Sequence, residues 1–126
     1  MTAHAENPLV VWTEIPVRDL GKAIAFYNAA FGWNMEAYED SPVPMAVLGG
    51  RMNTVSGNLY EGKPAAPGTG NIIHIGLTGT LETAMDDWVK AGGELISDPV
   101  EIPPGRFTLA TDPDGNTIGL FEAKAT

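Results

Sequence analysis

An internal duplication limits what this chain can fold into more than any other feature of its sequence. At an offset of 61 residues, Leu20 repeats as Leu81, Ala23 as Ala84, Tyr27 as Trp88, Ala30 as Ala91 and Gly32 as Gly93. Each copy is a helical stripe with apolar residues at three- and four-residue spacing: Leu20, Ile24, Tyr27 and Phe31 in the first, Leu81, Ala84, Met85 and Trp88 in the second. Asp19 and Thr80 stand where N-caps belong, and Gly32 and Gly92–Gly93 stand where left-handed backbone ends a helix. A duplication inside 126 residues predicts one domain made of two similar modules.

The segments around the stripes read as strands. "PLVVWTEIPV" gives a strand over about residues 9–17, with Val11, Thr13, Ile15 and Val17 on one face and Val10, Trp12, Glu14 and Pro16 on the other. After the first helix, "NMEAYE" reads as a strand, "DSPVP" as a turn, "MAVL" as a strand, "GGR" as a turn and "MNTVSGNLY" as a strand interrupted by Gly57. "EGKPAAPGTG", residues 61–70, concentrates proline and glycine and reads as a linker. In the second half "GNIIHIGLTG", "ELIS", "RFTLA" and "NTIGLFE" are the strand segments. Asp112-Pro113-Asp114-Gly115 has the type I turn signature and joins the last two as a hairpin. Each half is therefore β-α-β-β-β, module 1 over about 9–60 and module 2 over about 71–123, in a single α+β domain.

His74 is the residue with the most chemistry in this pattern. It shares a strand face with Ile72, Gly76 and Thr78, opposite Ile73, Ile75 and Leu77. An imidazole on such a mixed face serves as a hydrogen-bonding group in a ligand cavity, as a metal ligand, or as a structural histidine. Arg106 and Thr108 share one face of the seventh strand and Phe107 and Leu109 the other, and which set meets the cavity depends on register.

Composition narrows the partners. A net charge of −9, from 16 acids and 7 bases, argues against nucleic acid and anionic membrane, fits an ordinary soluble surface, and leaves room for a cationic ligand. The absence of cysteine excludes disulfides, thiol nucleophiles and Cys-ligated zinc. "MTAHAENP" lacks the basic and apolar regions of a secretory signal, and no apolar run is long enough to span a membrane, so a cytoplasmic domain is expected. There is no serine-hydrolase elbow and no phosphate-cradling GxxxxGK[ST] loop.

The duplicated βαβββ unit, with "IPVRDLGKAIAFYNAAFGW" near the start and "TDPDGNTIGLFE" at the end, resembles the vicinal oxygen chelate superfamily of glyoxalase I, bleomycin- and fosfomycin-resistance proteins and extradiol dioxygenases. The resemblance covers nearly the whole chain. It implies two modules forming a curved mixed sheet around a cavity, and chains that commonly pair, sometimes exchanging modules. In the metal-using members it implies four ligand positions. Matched by motif, these fall on Trp12, on Gly57 or Ser56, on His74 and on Gly119. Only His74 among them is a good metal ligand, since an indole and a glycine hydrogen offer no donor pair.

Three functions follow as expectations. The first is a protein that binds a small molecule in the cavity without metal or other cofactor, through Trp12, Glu14, Gly57, His74, Gly119 and Phe121, as a homodimer. The second is an enzyme of lyase, isomerase or dioxygenase type. It would hold a metal through Glu14, His74 and Glu122, or work metal-free with Glu14 as general base and His74 as acid or oxyanion donor. Glu122 has the parity opposite to Gly119 and Phe121, so it needs a bulge to point inward. The third is a dimeric interaction module whose cavity is filled by side chains.

Overall fold

The computed structural model describes residues 9–40, 42–51 and 54–124. The whole of the leading "MTAHAENP", parts of the "DSPVP" turn and of the "MNTVSGNLY" segment, and the last two residues lie outside them. Strand β1 (Trp12–Val17) leads into helix α1 (Leu20–Phe31), then β2 (Met45–Val47), a short 3-10 turn (Leu48–Gly50) and β3 (Ser56–Glu61). The second module holds β4 (Ile72–Gly76), α2 (Leu81–Ala91), β5 (Glu94–Leu95), β6 (Val100–Ile102), β7 (Gly105–Thr111) and β8 (Thr117–Ala123).

Both helices begin and end as their sequences dictate. Asp19 accepts the N–H of Lys22, and Thr80 accepts that of Thr83. Gly32 and Gly92 take φ of 70° and 115°, and each returns its N–H to the last helical turn. A second cap was not foreseen. Glu61, at the end of β3, accepts the N–H of Leu20 at 3.0 Å, and Glu122, at the end of β8, accepts the N–H of Leu81 at 2.8 Å. The same carboxylate sits over the same helix end in both modules, where unpaired N–H groups favour negative charge. Glu61 thus belongs to β3 and not to the linker.

Each module is a mixed sheet. In the first, β3 is central, parallel to β1 and antiparallel to β2; in the second, β8 is parallel to β4 and antiparallel to β7, which also pairs β5 and β6. Two strand expectations change. The "NMEAYE" segment contributes only an isolated Tyr38–Met45 bridge. Its backbone is diverted upstream, because the Asn28 amide donates to the Met35 carbonyl and accepts the Met35 N–H, occupying groups that a ladder would need. Conversely β6, which the sequence did not signal, pairs with β7 across Pro103–Pro104.

One face of each sheet is sealed by its helix. Ile15, Val17 and Leu59 are fully buried under α1, and Ile118, Leu120, Ala110 and Thr108 under α2. The modules dock through the helices, where Phe26 meets Trp88 edge-on at 4.8 Å and Tyr27 meets Trp88 at 6.0 Å. Such aromatic pairs add about 0.5–1.5 kcal/mol each beyond area burial. Polar tips fix the docking angle: Tyr27 Oη donates to Asp112 Oδ2 at 2.7 Å, and Trp88 Nε1 donates to the neighbouring Thr111 carbonyl at 3.1 Å. The Asn116 amide joins Asp112 to the Pro16 carbonyl, and Arg18 pairs with Asp114. Burial, then the charge and hydrogen bond of Asp112, push the Tyr27 phenol well above its ordinary range. Among the described residues no ladder bond joins the two sheets, and no helix is long and apolar enough to cross a membrane.

Candidate functional site

The face of each sheet turned away from its helix is open. Register decides which residues occupy it. In the first module Glu14 pairs with Asn58, and in the second His74 pairs with Gly119. Because Asn58 and Gly119 are related by the 61-residue offset, the counterpart of His74 is Glu14. By register, Leu20 lies six residues beyond Glu14 and Leu81 seven beyond His74, so the offset shortens to 60 along β1 and β4. The motif match to Trp12 is therefore shifted by two along the same face, and the match to Gly57 falls on the wrong face.

Gly57 pairs with Thr13 and shares parity with Leu59, so it belongs to the buried, helix-packed side. A Cβ there would run into the Thr13 carbonyl and methyl, which is why the position is glycine. Asn58 takes its place on the open face, where it is 2 % exposed and its Oδ1 accepts the Trp12 indole N–H at 2.6 Å. Asn58 was missed, although the offset from Gly119 points to it. Glu14 is exposed beside this pair.

On the second module the open face is aromatic. The His74 ring lies over Gly119, where a Cβ would collide with it, and meets Phe107 edge-on at 5.0 Å and Phe121 at 6.0 Å. With Ile102 and Gly76 these residues line a hollow of about 320 Å³. The seventh strand is thereby resolved: Phe107 faces the hollow, while Thr108 is buried beneath α2 beside Met85. Arg106 is also on the helix side, bridging Glu82 at 2.6 Å and Glu122 at 2.9 Å. Those bonds hold the Glu82 carboxyl below its usual range and raise the guanidinium further.

Glu122 is thus committed to the α2 N-terminus and Arg106, and its predicted alternative as a metal ligand with Glu14 and His74 does not hold. Nor does one chain bring Glu14 and His74 to a single wall. Among the described residues, the hollow beside His74 is lined by neither Glu14 nor Trp12. No group of three His, Cys, Asp or Glu side chains among the described residues is positioned to hold a metal ion. The Asn58 carbonyl oxygen is already engaged, and Gly119 offers no donor. A transition-metal centre needs three or four N, O or S ligands, so the described residues of this chain do not fit the metal that the family resemblance implies.

The family model for the glyoxalase/bleomycin resistance protein/dioxygenase superfamily matches residues 9–120. The chain belongs to this superfamily. A putative glyoxylase of Mycobacterium bovis, CFP32, is 30% identical over 121 residues, covering 89% of this chain. The chain spans 44% of the length of that relative. A glyoxylase-like domain-containing protein of Didymella fabae is 26% identical over 115 residues, covering 85% of this chain and 88% of its own. TnmS3, an antibiotic binding protein from Streptomyces sp. CB03234, has 25% identity and a TM-score of 0.67, over 96% of this chain and all of that one.

Proposed function

We propose that this superfamily member binds a small, largely apolar molecule on its open sheet faces and does so without a metal. The observation that carries the reading is the aromatic hollow of His74, Phe107 and Phe121 over bare Gly119: a concave apolar surface with one polar group of defined direction. The similarity to an antibiotic binding protein supports it. The homodimer expected from the sequence completes it. Leu9, Val10 and Val11 are 88%, 76% and 57% exposed ahead of an unpaired β1 edge, and Ile72 and Ile102 are exposed around the hollow. A second copy would cover these residues and bring the Trp12–Glu14–Asn58 face of one chain toward the His74 face of the other.

The test has two arms. Sedimentation at micromolar concentration is expected to show a dimer, and a stable monomer counts against the paired arrangement. A calorimetric titration with Zn²⁺ or Ni²⁺ is expected to show no submicromolar binding. One ion per chain at that affinity, lost in His74→Ala, would overturn the metal-free reading and favour the enzyme.

A further inference from the structure

The charged residues of the last three strands are sorted onto one face. Glu101, Arg106 and Glu122 are register partners across β6, β7 and β8, and this row lies on the helix side. There Glu101, Arg106, Glu122 and Lys124 border one recess, and Arg106 holds Glu82 and Glu122 in ion pairs. The alternate rows put Val100, Phe107 and Phe121, then Ile102, Gly105 and Ala123, on the open face. Glu94, on β5 beside Thr111, stands at the opposite end of β7. Among the described residues, the aromatic hollow of His74, Gly76, Ile102, Phe107 and Phe121 is therefore lined by no carboxylate, ammonium or guanidinium. In a chain with 16 acids and 7 bases, so complete a separation marks what the hollow can accept.

The imidazole supplies the polar contact, and a missing side chain sets its direction. Of the His74 ring atoms, Nδ1, Cε1 and Cγ lie closest to where a Cβ of Gly119 would stand. The Nδ1 edge of the ring thus lies against the β8 backbone, and Nε2 is the ring nitrogen turned away from it. Phe107 and Phe121 brace this pose, their rings at 88° and 90° to the imidazole. Among the described residues the His74 ring has no hydrogen-bond partner, so Nε2 is free to bond a ligand.

We infer that the hollow takes an uncharged aromatic alcohol of naphthol type, whose hydroxyl bonds to His74 Nε2. Three observations each fix one property of this ligand. The lining fixes its charge, because an ion taken from water into a site without a counter-charge loses hydration that nothing replaces. The phenylalanine walls fix its shape, since aromatic rings pack on one another edge-on or offset and gain beyond their buried area. The volume fixes its size: a cavity of about 150 Å³ is enough for a benzene ring, and the hollow offers about 320 Å³. A hydroxyl both donates and accepts, so it meets Nε2 in either tautomer of neutral histidine, whereas a carbonyl oxygen needs the Nε2 proton. This rests on the small-molecule reading above and narrows it.

The experiment is an NMR titration of the full chain at neutral pH with 2-naphthol, with 2-naphthoate and with 2-naphthylmethylammonium, which share one ring system and differ in charge. 2-Naphthol is expected to shift the ring protons of His74, Phe107 and Phe121 saturably. The two ions should bind at least about tenfold more weakly, for want of a counter-charge. His74→Phe keeps an aromatic wall and removes the nitrogen, so it should weaken 2-naphthol about fivefold, the scale of one neutral hydrogen bond. His74→Gln, which keeps a donor and an acceptor, should recover part of that loss. His74 is exposed, so both variants keep the fold, and unchanged amide shifts away from the hollow verify this. Either ion binding as tightly as 2-naphthol, or 2-naphthol binding indifferent to His74→Phe, would overturn the assigned class and leave the apolar-ligand reading standing. Absence of shifts around the hollow with all three probes would overturn both.

Discussion

The two modules share a frame and differ in what they display. Each has a helix capped by a side chain at its N-cap, by a glutamate from the last strand, and by a left-handed glycine at its end. Each presents an aromatic residue at the same helical position, Tyr27 or Trp88, and both reach the end of β7, through Asp112 and Thr111. The open faces have diverged. Module 1 closes on itself, with the Trp12 indole bonded to Asn58, whereas module 2 sets His74 over a bare glycine beside the aromatic hollow, with no hydrogen-bond partner for its ring among the described residues. A residue repeated at the 61-residue offset therefore reports on the frame, and a residue that breaks the repeat reports on the site.

The frame side of that contrast is broken most severely at the helix junction. Trp88 is fully buried and touches Phe26, Tyr27 and Phe31, so Trp88→Ala is expected to cost about 3–5 kcal/mol, read by urea denaturation. A cost under about 1 kcal/mol would mean that the modules do not depend on this contact. Next in size is Gly57→Ala. The added methyl meets the Thr13 backbone carbonyl, which cannot move without shifting β1, so a loss of about 2–3 kcal/mol is expected. Were Gly57→Ala neutral, Gly57 would belong to the open face after all.

These two positions also show how far the sequence could be read. The helical stripes, their caps and the Asp112–Gly115 turn are local patterns, and the structure keeps them, with the Gly115 N–H returning to Asp112 at 2.9 Å. What failed depended on partners remote in sequence or on parity. The Asn28 amide captured Met35 and removed a strand that local composition favours. The site was misread at Gly57 because a one-residue slip moves every side chain of a strand to its other face. The duplication contained the remedy, since Glu61 and Glu122 obey the 61-residue offset as strictly as Leu20 and Leu81. Extending the repeat through β3 and β8 pairs Asn58 with Gly119 and marks Glu122 as a capping residue. The one-residue difference between the strand–helix connections is the part that only the sheet register reveals.

The matched glutamates allow a sharper comparison. Glu61 caps α1 alone, whereas Glu122 caps α2 and also accepts from Arg106 Nε and Nη2. Glu122→Ala should cost about 2 kcal/mol and Glu61→Ala about 1 kcal/mol in parallel denaturant titrations, and equal costs would show that Arg106 adds nothing to the cap. Tyr27→Phe is expected to cost about 1 kcal/mol at neutral pH for the hydrogen bond to Asp112. Its pH dependence follows from the raised pKa. Above about pH 10 the unfolded chain loses the Tyr27 proton while the folded chain keeps it, so wild-type stability falls as pH rises. Tyr27→Phe lacks that term. Its deficit relative to wild type should shrink as pH rises above about 10, and a constant gap would contradict the buried Tyr27–Asp112 contact.

Gly119→Ala should have the smallest effect on stability and isolates the site from the frame. The methyl would enter the space of the His74 ring, but that ring is an exposed side chain that can turn away, unlike the Thr13 backbone facing Gly57. Replacing glycine by alanine in a strand interior also recovers about 0.5–1 kcal/mol of chain entropy, which offsets the loss of the His74 contacts with Phe107 and Phe121. The net change in unfolding free energy should lie within about 0.5 kcal/mol of zero. The His74 ring protons are the better readout. They should lose the ring-current shifts imposed by the two phenylalanines. If Gly119→Ala instead destabilised the chain as much as Gly57→Ala, position 119 would be part of the frame. The two glycines would then be equivalent, and the division between conserved frame and divergent site would fail at its central residue.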